Sequence, residues 1–362
     1  MGTGPRVSAL EHILKRMIRA EGPMSLATYM ATCLTHPDHG YYTTRDPLGV
    51  AGDFTTAPEI SQMFGELIGL SLAQHWLDHG APDPFILAEL GPGRGTLMAD
   101  ALRATRAVPG FLSVAQIHLV EVSPTLRATQ AATLTGHSPI WHDTLANLPE
   151  APLYLIANEY FDALPVRQFR RDANGWRETM VGLDGDTLTL GAAPPAPLAA
   201  LDYRLEDTHP GDTVELNAPA AAEAHAIAQR IVTHGGAALV IDYGDWRALG
   251  DTVQAMRNHE AVDILNAPGA SDLTAHVDFE PLAHAATDAG ARHSRLTPQG
   301  VYLERLGITQ RAQALARPLR APALDSHIAA HRRLTHPAEM GTLFKCLSLH
   351  HPAAAPPPGL EP

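Results

Sequence analysis

Residues 87–96 read Leu87-Ala88-Glu89-Leu90-Gly91-Pro92-Gly93-Arg94-Gly95-Thr96. A short apolar run, Phe85–Leu90, enters three alternating glycines, and a helical pattern begins near Leu97. Glycine lets the backbone turn sharply and lets a ligand approach without a Cβ in the way. A helix starting there offers unpaired N–H groups to an acceptor. A dinucleotide site wants GxGxxG, so that a pyrophosphate can rest on the helix end. Here the spacing is GxGxG, and Pro92 removes one N–H where phosphates need donors. Glu89, two residues before the bend, is a poor neighbour for a diphosphate and a good one for an ammonium or sulfonium cation. A ligand with amino-acid, ribose and adenine parts but no phosphate fits better, and that ligand is S-adenosylmethionine.

Working outward, a second acid should end the next strand and hold the ribose diol. Residues 117–121, Ile-His-Leu-Val-Glu, supply Glu121, 26 residues beyond Gly95, the distance a helix and a returning strand require. A carboxylate can accept from both ribose hydroxyls. Asp143, after Pro139–Trp141 in sequence, is placed to reach the adenine at the end of a third strand. Similar apolar runs at 153–157 and 237–241 complete a set of buried strands separated by helical segments. That alternation implies an α/β, Rossmann-like, mostly parallel sheet.

The run at 153–157 ends in Asn158-Glu159-Tyr160-Phe161-Asp162. Ligands of open α/β sheets sit beyond the carboxyl ends of the strands, so Asn158, Glu159 and Asp162 fall where a methyl acceptor should lie. A guanidinium acceptor is protonated and a poor nucleophile; carboxylates must grip it and leave one nitrogen electron-rich. Glu159 and Asp162 suit that task, with Asp53 and Glu59 as further candidates. A helix-capping turn is the alternative reading of the same residues, and Tyr160 and Phe161 either wall the pocket or pack beneath it.

The flanking regions read as additions to this core. Residues 1–80 form a helical N-terminal cap. Ser8 and Glu11 stand at capping-box spacing before Leu10, Ile13, Leu14, Met17 and Ile18, which share one helical face. Ser25 caps a second helix, and a third is expected over 59–79. Between them, residues 36–60 form a cleft-lining loop too long for a simple connector. The methyltransferase domain is expected over 81–349, with an antiparallel β insertion at about 165–216 and edge strands at 293–296 and 342–349. Residues 350–362 are Ala/Pro-rich and read as a disordered tail.

The bulk numbers narrow the class. The chain has 362 residues and a formal charge of 26 − 39 = −13, which disfavours a nucleic-acid partner. The two cysteines, Cys33 and Cys346, form no CxxC pair, and His36 and His39 lack the carboxylate a zinc site would need; no metal is expected. No run approaches the roughly 18 apolar residues that span a bilayer, so membrane insertion is not expected. The N-terminal segment reads as the first helix of the fold, in a cytoplasmic protein.

Over residues 8–349 the sequence resembles the MidA-like methyltransferases. The resemblance rests on HGYYTTRDPLGVAGDFTTAPEISQMFGELIG (39–69), AELGPGRGTLMADALR (88–103), LVEVSPTLRATQ (119–130), IANEYFDALPVRQF (156–169), IDYG (241–244) and MGTLFKCL (340–347). The family includes a mitochondrial complex I assembly factor of protein-arginine methyltransferase type. The resemblance implies a class I methyltransferase fold and a helical N-terminal part capping the cofactor site. It assigns Gly52 and Asp53 to the cofactor and Tyr42, Thr55, Pro58, Glu59, Ser61 and Gln62 to the substrate cleft. It supports Gly91, Gly93, Gly95, Glu121, Asn158 and Glu159 in the roles given above. It also implies arginine methylation of a protein partner, a respiratory-complex subunit. A small-molecule methyltransferase and a non-catalytic assembly chaperone are the alternatives, and a homodimer is left open.

Overall fold

The computed structural model describes residues 8–44 and 55–362. They belong to two compact units interleaved along the chain. One unit holds 55–162, 220–246 and 279–362; the other holds the described residues of 1–54 with 163–219 and 247–278.

The first unit is built on a mixed sheet. Its main strands are β1 (Phe85–Leu90), β2 (Ala115–Val120), β3 (Ile140–His142), β4 (Leu153–Asn158), β5 (Gly236–Asp245), β6 (Arg292–His293) and β7 (Phe344–His350), in the spatial order β3-β2-β1-β4-β5-β7-β6, with the two-residue strands Val277–Asp278 and Thr297–Pro298 beside β5 and β7. The pairs β3–β2, β2–β1, β1–β4 and β4–β5 are parallel. Every residue of β1 and β4 is buried, as expected of central parallel strands covered on both faces. The order reverses at β1, so the cleft beyond the carboxyl ends of β1 and β4 is the place for a ligand.

Three expectations need correction here. The segment expected as an edge strand at 342–349 is internal: β7 runs antiparallel to β5, from Ala237↔His350 to Tyr243↔Phe344, and carries β6 on its other side. Lys345, Ser348 and His350 interrupt its apolar residues as they would in an edge strand, yet every position but Lys345 is buried, so its neighbours cannot be read locally. The third helix is broken at Ser61, which sits at φ −162° between a short helix Ala57–Ile60 and a long one, Gln62–Asp78. The Ser61 hydroxyl caps the long helix by accepting from the Met63 N–H at 3.3 Å. The tail at 350–362 is ordered. Pro357 and Leu360 are buried, and the carbonyls of Ala355 and Pro358 take hydrogen bonds from His75 and Ser71.

The long helix lies close to the helix Thr96–Thr105 that follows the glycine bend. A Cβ on Gly65 would stand 2.8 Å from Asp100 Cβ, and one on Gly69 2.7 Å from Ala101 Cα. Small residues four apart leave room for the two backbones to approach. The core beneath them joins Phe64, Ile68, Leu72 and Trp76 to Phe85, Leu87, Phe111, Tyr154 and Ile156.

The other unit gathers the helices Ala9–Glu21 and Leu26–Thr35 with the strands of 163–219. Ser8 and Ser25 cap those helices as their spacing predicts. The two-residue strand Met24–Ser25 pairs antiparallel with Gly175–Asp184, which also pairs with Arg167–Asp172 and Thr187–Ala192. The division at residue 80 is therefore redrawn. The helix Gln62–Asp78 belongs with the parallel sheet, and the β segment at 165–216 joins the N-terminal helices in a sheet of its own. Strand pairing between distant parts of the chain overrides contiguity.

Candidate active site

The bend after β1 has the conformation its glycines permit. Gly91, Gly93 and Gly95 have φ of 58°, 53° and 81°, in the left-handed region that costs a side chain roughly 1–2 kcal/mol per residue. The Gly91 N–H donates to Val120 O at 3.0 Å, tying the bend to the end of β2. A Cβ on Gly91 would lie 2.9 Å from the Tyr160 ring. Gly95 is the N-cap of Thr96–Thr105, and the start of that helix faces the bend.

Glu89 is 3% exposed, and its Oε2 is buried with no partner. Burial pushes its carboxyl up to about 8, which makes the neutral acid the resting form at pH 7. An orphaned carboxylate oxygen invites a cationic donor. Glu121, just past β2, is 7% exposed and also raised by burial. Its Oε1 accepts from the Ser123 N–H at 2.8 Å and its Oε2 from Gln130 at 3.2 Å. The Val122 backbone N–H also reaches this carboxylate, which as an acceptor of about four hydrogen bonds has room for one more.

Gln130 was not singled out in the sequence, yet it braces this side of the site. It is fully buried on the helix Pro124–Thr133. Its Nε2 donates to Gly93 O at 2.7 Å and to Glu121, and its Oε1 accepts from Trp141 at 2.8 Å. Nine residues after Glu121, on the inner side of the next helix, is a position that helical periodicity could have flagged. Asp143 follows β3 as expected, but its side chain is 78% exposed and paired with Arg127 at 2.6 Å.

On the other side, β4 ends in a crowded acidic turn. Asn158 is 7% exposed; its Nδ2 donates to Glu159 Oε1 at 3.2 Å and its Oδ1 is buried without a partner. Glu159 adopts φ +51°, a strained state for a residue with a side chain. Its N–H donates to Ile241 O at 2.9 Å, and its Oε1 accepts from the Ala57 N–H at 2.8 Å. Burial, with the charge of Asp162 adding to it, pushes the Glu159 carboxyl up to about 7. Asp162 is 7% exposed. Behind them stands Asp242, fully buried on β5, raised well above the carboxylate range by burial and by the charges of Asp162 and Glu159. Tyr160 donates to Glu223 at 3.1 Å, and Phe161 is fully buried.

The segment from 55 to 60 spans both sides. The Thr55 carbonyl accepts from Arg333 at 3.5 Å, Pro58 is buried in the first turn of the short helix, and the Ala57 N–H reaches Glu159. Glu59 accepts a hydrogen bond from the Thr96 hydroxyl at the head of the glycine-bend helix. The structure thus brings Glu89, Gly91, Gly93, Gly95, Glu121, Asn158, Glu159, Asp162, Thr55, Pro58 and Glu59 into one unit. Ser61 serves as a helix cap, and Gln62 is exposed with its amide on Glu66 at 3.3 Å. Tyr42 lies in the other unit, where its hydroxyl donates to Asp272 at 2.8 Å. Gly52 and Asp53 lie outside the described residues.

A buried acid with one unpartnered oxygen before the bend, a Gly91 with no room for a Cβ beside Tyr160 and a buried carboxylate beyond the second strand fit an amino-acid-bearing nucleoside. On that sheet, they define a Rossmann-like methyltransferase. A family model described as S-adenosyl-L-methionine-dependent methyltransferase matches residues 67–297. The protein arginine methyltransferase NDUFAF7, mitochondrial, of Danio rerio is 36% identical over 94% of this chain and 86% of its own length. The human protein of that name is 36% identical over 95% of this chain and 84% of its own length. A Burkholderia thailandensis protein solved with S-adenosyl-homocysteine bound has a TM-score of 0.85 at 29% identity, covering 97% of this chain and 94% of its own. The chain belongs to the family of S-adenosyl-L-methionine-dependent methyltransferases, and S-adenosyl-L-methionine is its cofactor. The curated relatives are named mitochondrial, which overturns the expectation of a cytoplasmic protein. Among the described residues no helix is long and apolar enough to cross a membrane.

Proposed function

We propose that the chain methylates an arginine side chain of a protein partner, a respiratory-complex subunit, with Glu159 and Asp162 holding the guanidinium. The observation that carries this reading is the pair of carboxylates at the end of β4, one of them raised to about 7 beside the other. Bound S-adenosyl-L-methionine supplies a methyl group activated by a cationic sulfonium. Glu89 and the 91–95 bend would hold its amino-acid end, and Glu121 its ribose.

The remaining work belongs to the acceptor side. A guanidinium entering between Glu159 and Asp162 gains charge-assisted hydrogen bonds that fix its plane. It also lowers the cost of ionising both acids, since each carboxylate then faces a cation. Ionised beside that cation, Glu159 can accept the proton that the alkylated nitrogen must lose. The Ala57 N–H and the Asn158 amide hold the carboxylate in place while it does so. Relatives named protein arginine methyltransferase support the choice of acceptor.

The test is incubation of the purified chain with radiolabelled S-adenosyl-L-methionine and an extract of cells lacking it. A labelled protein whose hydrolysate yields methylarginine is the expected result. Label confined to small molecules would overturn the proposal.

A further inference from the structure

We propose that Asp242 is the positioning residue of the acceptor side: one buried carboxylate oxygen fixes the turn from which Glu159 and Asp162 act. The inference rests on the reading that those two acids meet the acceptor. Asp242 Oδ2 accepts from three consecutive backbone N–H groups, those of Tyr160 at 3.2 Å, Phe161 at 3.0 Å and Asp162 at 3.2 Å. Its Oδ1 accepts from the Tyr243 N–H at 2.9 Å. The residue is fully buried. Parallel pairing puts Ile241 opposite Asn158, so β5 delivers Asp242 to the base of the β4 turn.

Three N–H groups turned toward one point are what the first turn of a helix presents, and here they come from the first two residues of the turn Phe161–Ala163 and from Tyr160 just before it. An acceptor on a neighbouring strand fixes that turn as an N-cap side chain would, but from outside its own segment. The fixed turn sets the direction of Asp162 directly. It also holds Glu159 in its left-handed conformation, because the residues on either side of it are anchored: Asn158 opposite Ile241 in the sheet and Tyr160 on Asp242. Asp242 reaches no acceptor itself. Its effect passes through the backbone, and its loss should therefore lower turnover while sparing cofactor binding.

The experiment compares the full chain with Asp242→Asn, which keeps one acceptor oxygen and the volume. Amide hydrogen exchange at Tyr160, Phe161 and Asp162 should accelerate at least about 10-fold, while Leu155 and Ile156 within β4 stay protected. Affinity for S-adenosyl-homocysteine should change less than about 2-fold. Methyl transfer to the extract protein should fall about 100-fold in kcat with little change in KM. Loosened amides with undiminished transfer would overturn the positioning role, as would equal loss of transfer, cofactor affinity and protection across β4. Glu159→Gln, assayed in parallel, separates the two ideas: if it transfers normally, the acceptor reading fails whatever Asp242 does. Should Asp242→Asn not fold, exchange on the wild-type chain decides. Protection of the three amides at the level of Ile156 supports the proposal, and exchange at the rate of free amides overturns it.

Discussion

Glu89 and Glu159 are both carboxyls that burial displaces upward, to about 8 and about 7, and they predict two different pH effects. For Glu89 the folded chain keeps a proton that the unfolded chain releases, so stability falls as pH rises from the ordinary carboxylate range to about 8. Glu89→Gln carries no such titration. In thermal melts without cofactor, the variant should gain on the wild type between about pH 5 and pH 8; a constant gap would refute the buried neutral acid. In the proposed role Glu159 acts ionised, so kcat/KM, which follows the titration of the unliganded chain, should rise about tenfold per pH unit below about 7 and level off above it. A profile flat from about pH 5.5 to 8.5 would remove Glu159 as proton acceptor. Gly91→Ala meets the Tyr160 ring and a φ of +58°, and it should weaken both folding and cofactor binding, read by melts and calorimetry.

At the scale of elements, the helix Pro124–Thr133 is held to the glycine bend by one side chain. Gln130 satisfies Gly93 O, Glu121 and the Trp141 indole at once. Gln130→Ala leaves buried polar groups unsatisfied, at about 1–3 kcal/mol each before relaxation. We expect S-adenosyl-homocysteine affinity to drop by about 10-fold or more in calorimetry, with the ribose side of the site loosened. Unchanged affinity would show that Glu121 needs no brace. The bend, its helix and the two following strands were legible in the sequence, because apolar runs ending in glycine or acid have few structural solutions. Gln130 and Asp242 were not. Each acts on a partner far along the chain, and neither belongs to a local pattern that names its role. The short helix Ala57–Ile60 hid in the same way: its residues continue an apolar period that Ser61 interrupts only through its backbone angles.

At the scale of each unit, the tail is the clearest revision. Pro357 and Leu360 are buried, and His75 and Ser71 on the long helix donate to carbonyls at 3.1 and 2.9 Å. Truncation after His350 should cost about 3–5 kcal/mol, from the burial of Leu360 and two hydrogen bonds. A melting temperature unchanged by the truncation would return the tail to disorder. Its Ala/Pro composition lacks any periodicity, and what orders it is distant in sequence: the helix Gln62–Asp78, the Arg295 N–H on Glu361 O and the Arg305 guanidinium on the Glu361 carboxylate. The β segment at 165–216 carries the same lesson. Its hairpins were visible from turn spacing, but the partner strand Met24–Ser25 is two residues long and leaves no signal.

By itself the sequence determined the α/β class, the glycine bend with Glu89 and Glu121 on either side of it, and the acidic end of β4. Those features arise from runs of neighbouring residues, where apolar periodicity and backbone freedom act over a few positions. Only the tertiary structure decided that β7 lies inside the sheet, that the insertion joins the N-terminal helices, and that Gln130 and Asp242 stand behind the acids. These depend on which strands pair and which buried groups find partners, and burial satisfies a donor with any acceptor the fold brings within 3 Å, however far away it lies in the chain.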